Sequence, residues 1–154
     1  MVESFAYLRI ASGSDAWALA RLRAASHIEL GMLRPAARYA FERTACREFA
    51  DLFASERMSA WVLVEHGRVV GSACALYWQR LPYTGTSLHA ELAGVYVTPD
   101  LRGHGYAREL CREAIATARG RGVRHLSVHP SDSGRRLYAA LGFEPSGEMR
   151  LAAT

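Results

Sequence analysis

The sequence predicts a single mixed α/β (α+β) domain spanning residues 1–154. Three observations point there. The chain has 154 residues, half of them hydrophobic, enough for one domain with a real core. Its apolar patterns run in the order strand, two helices, three strands, helix, strand, helix, strand. A glycine-rich break, "TPDLRGHGYARE" (98–109), separates an apolar strand-like run from the strongest helical pattern in the chain.

"FAYLRI" (5–10) alternates as a strand does. "SGSD" (12–15) offers Ser14 as a helix N-cap, with Asp15 in the first turn, and the helix runs to about Leu30, where Gly31 ends it. Pro35 suits the first turn of a second helix, in which Ala37, Phe41, Ala45, Phe49, Leu52 and Phe53 fall on one face. "AWVLVEHGRVVGSACALYW" (60–78) reads as two strands joined at His66-Gly67, a hairpin. "LPYTGTS" (81–87) is a loop, and "LHAELAGVYV" (88–97) is a strand stopped by Thr98-Pro99. Beyond the break, Ala107, Leu110, Cys111, Ala114, Ile115 and Ala118 keep helical spacing until Gly120 and Gly122 close it. "RHLSVH" (124–129) is a short strand. "SDSGRRLYAALGF" (131–143) is a helix capped by Ser131 or Asp132, and "EMRLA" (148–152) is a last strand.

Composition excludes several chemistries. All 19 basic residues are arginine, so lysine nucleophiles, Schiff bases and a P-loop lysine are out. The net charge of +4 is spread without a basic run, so no nucleic-acid stripe is expected. Cys46, Cys74 and Cys111 form no CxxC pair, so neither a zinc site nor a disulfide framework is expected, and Cys111 reads as core filler. No stretch approaches the ~18 apolar residues of a membrane span. "MVESFAYLRI" has no signal-peptide pattern. The expectation is a cytoplasmic protein without a metal.

A strand that enters a glycine-rich turn and then a helix aims several backbone N–H groups at one place, where the helix dipole adds positive charge. Such a place binds phosphate, and Gly103 and Gly105 let a ligand approach the backbone. The Walker pattern is absent. Gly103-His104-Gly105 followed by Tyr106, Ala107 and Arg108 does not complete the dinucleotide pattern.

Arg102-x-x-Gly105-x-Ala107 resembles the [QR]-x-x-G-x-[GA] signature of the GNAT superfamily of acyl-CoA-dependent N-acyltransferases. It follows "VYVTPD", opens an amphipathic helix, and is followed about 30 residues later by "LYAALGF", as in that family. The resemblance implies a mixed central sheet of six to seven strands, splayed at an acyl-CoA slot and flanked by about four helices. It implies acetyl-CoA as cofactor, with Val95, Tyr96 and Val97 beside its pantetheine arm and Gly94 relieving a bulge. The N–H groups of Gly103, His104, Gly105, Tyr106 and Ala107 would hold the pyrophosphate, with the Arg102 side chain assisting. Arg108 or Arg135 would meet the 3′-phosphate. Ser131 stands where many relatives carry an asparagine, as a replacement contact to the arm.

Acetyl transfer to an amine needs a base, an oxyanion donor and an acid for the departing thiolate. The resemblance assigns Glu91 as base, the Val95 N–H as oxyanion donor and Tyr138 as acid; His89, two residues from Glu91 on the same strand face, stands as the reserve base. His129 reads first as a residue that caps or packs a strand end, and only second as a substrate contact. The family's acceptor site corresponds to residues around 26–41 and 77–87, with His27, Glu29, Tyr39, Tyr77, Trp78 and Tyr83 available. Aromatics with a carboxylate suit a cationic amine, and they suit a core or a homodimer interface equally. The expected activity is N-acetylation of a small-molecule amine. The alternatives are acetylation of a protein, peptide or aminoacyl-tRNA, and a non-catalytic acyl-CoA sensor.

Overall fold

The computed structural model describes residues 5–82 and 87–152. One five-stranded sheet is built from β1 (Tyr7–Ile10), β2 (Met58–Glu65), β3 (Arg68–Gln79), β4 (Leu88–Val97) and β5 (Leu126–Val128), in that spatial order. The first four strands are antiparallel neighbours, and β5 joins β4 in parallel. A parallel pair needs a crossover, and α3 (Tyr106–Gly120) supplies it. His66 and Gly67 turn the β2–β3 hairpin with φ of 48° and 72°.

Helices cover the sheet. The apolar stripe of α3 buries Leu110, Cys111 and Ala114 against Leu63, Ala73, Leu92 and Val97. A second cluster sets Leu19 of α1 (Ala16–Glu29) and Phe49, Leu52 and Phe53 of α2 (Arg38–Ala54) with Met58, Val62 and Cys74. Burial pushes the Cys74 and Cys111 thiols up to about 12, so neither offers a thiolate near neutral pH. The short α4 (Arg135–Ala140) follows a 3-10 turn at Asp132–Gly134.

Three expectations need correction. The sheet has five strands rather than six or seven, because residues 148–152 form no strand ladder among the described residues. Pro145 and Gly147 interrupt the extended run before them, and β5, with only three paired residues, offers a short template. The strand expected over 124–129 is likewise confined to Leu126–Val128. At the first helix, Ser12 rather than Ser14 starts the turn, and Asp15 is buried on Arg9 at 2.8 Å. The Arg9 guanidinium holds the Asp15 carboxyl below the usual range.

Candidate active site

The β4–β5 ladder contains three pairs and stops at Leu92↔Val128, leaving Ala93–Val97 of β4 without a β5 partner. On its other edge, β4 slips against β3. Tyr96 opposes Ser72 and Ala93 opposes Cys74, so one more residue lies on β4 than on β3 between these pairs. Gly94 sits in this bulge with φ +61°, and a Cβ there would meet Cys74 Sγ at 3.3 Å. The Ser72 hydroxyl donates to the Gly94 carbonyl at 2.7 Å and fixes the distortion. Val95 lies in the same bulge. The sheet is therefore splayed beside "LAGVYV", and its cause is legible in one glycine.

At the far end of β4 the chain turns through Pro99–Leu101 and enters α3. Gly103 and Gly105 take φ of +81° and +83°, a region L side chains rarely adopt, and a Cβ on either would project into open space. Gly105 is the N-cap of α3. The first-turn N–H groups of a helix have no partner four residues back, so the elbow presents them outward with the helix dipole behind. His104 turns its Nδ1 to the carbonyls of Leu101 and Arg102, at 3.2 and 3.1 Å, and helps hold the turn. Arg108 is exposed. A glycine cradle at a helix start beside a splayed strand fits a pyrophosphate with an extended arm.

The Arg102 side chain is engaged within the protein. Its Nε donates to the Val97 carbonyl at 2.9 Å, and Nη2 donates to both carboxylate oxygens of Glu29 at 2.9 Å. The guanidinium also lies 5.3 Å from the centre of the Tyr96 ring, and the Tyr96 hydroxyl donates to Glu29 at 2.6 Å. The Tyr96 hydrogen bond, with Arg102, holds the Glu29 carboxyl below its ordinary range, while burial and Glu29 push Tyr96 up to about 12. Glu29, expected near the acceptor, thus ties the end of α1 to the elbow.

Glu91 opposes Ser127, one pair before the ladder ends, so the residue lies at the mouth of the splay. Its Oε1 lies 2.7 Å from Nδ1 of His129, and Nε2 of His129 lies 3.4 Å from Glu148. Expected first to cap or pack, His129 instead partners the candidate base. No periodicity signals a contact across 38 residues; the only hint was the position of His129 at a strand end beside Pro130. His89, the reserve base, is buried with its ring centre 4.6 Å from that of Trp78, and burial lowers its pKa.

Tyr138 packs against the α3 core cluster and meets Phe143 edge-on at 5.8 Å. Burial pushes its hydroxyl up to about 12, so it keeps its proton across the neutral range. Ser131 accepts from the Gly134 N–H at 3.2 Å, which makes it the cap of the turn before α4. A cleft of about 470 Å³ runs along β5 between α4 and residues 143–150, lined among others by His129, Tyr138, Arg135 and Glu148.

The described acceptor candidates fall in separate places: Trp78 stands against His89, while Glu29 holds Arg102. His27 sits in the α1–α2 layer with its ring 5.3 Å from Phe41, and burial lowers its pKa. Tyr77 is buried with its hydroxyl 2.6 Å from Ser59, whereas Tyr39 is exposed. Tyr83 lies outside the described residues. Among the described residues no cluster of three or more metal-ligand side chains occurs, and no helix is long and apolar enough to cross a membrane.

The family model described as Acetyltransferase (GNAT) family matches residues 27–143. The chain belongs to the GNAT acetyltransferase family. It is thereby an acetyl-CoA-dependent acetyltransferase. Among curated protein sequences none matches it significantly. Solved acetyltransferase structures superpose over nearly the whole chain. A predicted acetyltransferase with acetyl-CoA from Clostridium acetobutylicum has a TM-score of 0.87 at 20% identity, over 97% of this chain and 96% of that one. A GCN5-related N-acetyltransferase from Ralstonia eutropha JMP134 has a TM-score of 0.84 at 22% identity, over 97% and 99%. The aminoglycoside N-acetyltransferase AAC(6')-Iy in complex with CoA has a TM-score of 0.76 at 18% identity, over 100% and 99%.

Proposed function

We propose that this GNAT acetyltransferase transfers the acetyl group of acetyl-CoA directly to a primary amine of a small molecule. The observation that carries this reading is the position of Glu91. It stands at the mouth of the splay, where the β4–β5 ladder ends and the bulge at Gly94 begins. Bound acetyl-CoA supplies an activated acyl carbon and a thiolate leaving group. The chain's residues do the rest. Val95, Tyr96 and Val97 line the unpaired length of β4 for the pantetheine arm, and the N–H groups of residues 103–107 hold the pyrophosphate. We assign the exposed guanidinium of Arg108 or Arg135 to the remaining phosphate, and Ser131 to a polar contact with the arm.

The Glu91 carboxylate draws the proton from the amine, the Val95 N–H donates to the acyl oxygen as charge develops there, and Tyr138 donates its proton to the departing sulfur. High buried pKa values leave Cys74 and Cys111 as thiols, which favours direct attack over an acyl-cysteine route. A cleft of about 470 Å³ lies within the ~300–1,000 Å³ range of small-molecule sites. The similarity to an aminoglycoside N-acetyltransferase adds a polyamine-like sugar to the candidate acceptors.

Thiol release from acetyl-CoA against a panel tests this: an aminoglycoside, a polyamine, free amino acids and an alanine-leading peptide. Turnover with a small amine, lowered about a hundredfold or more by Glu91→Gln, is expected. Turnover with the peptide alone would replace the acceptor class. Turnover untouched by Glu91→Gln would remove Glu91 from the chemistry.

A further inference from the structure

Glu91 does not act from an isolated position. A carboxylate only accepts hydrogen bonds, so the short 2.7 Å contact to Glu91 places a hydrogen on Nδ1, and the longer 3.4 Å contact of Nε2 to Glu148 becomes a hydrogen bond only in the imidazolium. In the neutral ring Nε2 is then the lone-pair acceptor. His129 lines the same cleft as Tyr138, and Glu91 is joined to that cleft through its contact to Nδ1. The proton acceptor and the proton donor must reach one reacting centre. His129 and Tyr138 share a cavity.

We propose that Glu91 and His129 form a single base, in which Nε2 of His129 takes the acceptor's protons and Glu91 positions the ring. This rests on the acetyl-transfer reading above, and it moves the proton-accepting atom from the carboxylate to the imidazole. An ammonium acceptor loses two protons on the way to an amide. Nε2 takes the first and passes it to solvent, and the nitrogen electron pair so freed bonds to the acyl carbon. Nε2 takes the second as the C–S bond breaks and its electron pair leaves with sulfur. Sulfur takes the Tyr138 proton, and the imidazolium returns one to Tyr138 through water, so one proton is released overall.

The ring is surrounded by charge. Glu91 of β4 faces Nδ1, and Glu148 of the C-terminal segment faces Nε2 at 3.4 Å. Across the cleft lie Arg135 and Tyr138 of α4, with Glu144 and Arg150 of that segment, and Arg150 stands 3.6 Å from Glu148. His89 shares the β4 face of Glu91, two residues away. The two carboxylates favour the imidazolium that each transfer creates, and Arg150 offsets part of the pull of Glu148.

The test begins with histidine-selective 15N NMR of the full chain, with the His129 signal identified by its loss in His129→Gln. The expected neutral ring carries its hydrogen on Nδ1, and its titration midpoint falls in both Glu91→Gln and Glu148→Gln. An Nε2–H tautomer, or a midpoint unmoved by Glu91→Gln, would overturn the proposal. Kinetics with acetyl-CoA and the best amine of the panel complete it. His129→Gln should lower kcat about a hundredfold or more and remove the acidic limb of the kcat/KM profile, with the acetyl-CoA dissociation constant within about twofold. If acetyl-CoA binds and His129→Gln keeps both kcat and the acidic limb, the dyad is wrong and Glu91 acts alone. If folded wild type binds no acetyl-CoA, the acetyl-transfer reading fails, and the dyad with it.

Discussion

The elbow at the start of α3 and the stretch from β5 into α4 both flank the splay, and they are built by different means. The elbow is local. Two glycines with φ above +80° and a helix start create it within a few residues. The β5–α4 end is assembled from distant parts: Glu91 on β4, His129 after β5, Glu148 further on, and Tyr138 from a six-residue helix. The first end needs only backbone and suits binding. The second needs side chains held across long sequence separations and suits chemistry. Substitutions at the two ends should therefore move different quantities.

Tyr138→Phe carries the largest expected effect on chemistry. It should lower kcat about 10²- to 10⁴-fold, while acetyl-CoA affinity stays at the wild-type value in calorimetry. Because Tyr138 is pushed up to about 12, it loses its proton only at pH values approaching that. The wild-type rate should then show no basic limb from this group below about pH 10. An equal loss of affinity and rate in Tyr138→Phe would erase the distinction between the two ends.

Gly94→Ala tests the bulge that separates them. The left-handed φ of +61° and the 3.3 Å approach to Cys74 Sγ both oppose a Cβ. Strain of this kind costs about 1–3 kcal/mol, and the melting temperature should fall by roughly 2–4 °C for each kcal/mol in a chain of this size. A variant as stable as wild type would show that the bulge does not depend on glycine.

Glu29→Gln is the mildest. The Arg102–Glu29 pair is part-exposed, with side chains 46% and 40% accessible, and such pairs contribute about 0–1 kcal/mol. The sign with pH follows from the lowered Glu29 pKa. Its contribution is complete above the unfolded carboxyl value, near about 4.3, and is lost as pH falls through the lower folded one. Acid denaturation curves of Glu29→Gln and wild type should therefore converge at low pH and separate slightly at neutral pH.

These same differences explain what could be read in advance. The α3 stripe, the glycine elbow and the Gly94 bulge are local signals, carried by 3.6-residue periodicity or by a residue whose backbone freedom the turn requires. Of the sheet pairing, the β2–β3 hairpin was legible, from the His66-Gly67 turn between two strand-like runs. The Glu91–His129 pair and the Arg102–Glu29–Tyr96 knot were not legible. They join positions 38 and 73 residues apart, and nothing near either partner in the chain announces the other. The strand expected over 148–152 alternates correctly by itself, but a strand exists only where a neighbour takes its hydrogen bonds. Here Met149 and Leu151 stand more than nine-tenths exposed.

Calorimetric titration of the wild-type protein with acetyl-CoA, beside Gly105→Glu, bears most directly on the central claim that β4 and the elbow form the acetyl-CoA site. The account predicts micromolar binding by wild type. Gly105→Glu should abolish it, because a side chain and a negative charge enter the pyrophosphate cradle at a backbone position with φ +83°. A folded wild type that takes up no acetyl-CoA, or a folded Gly105→Glu that binds it as tightly as wild type does, would contradict the claim.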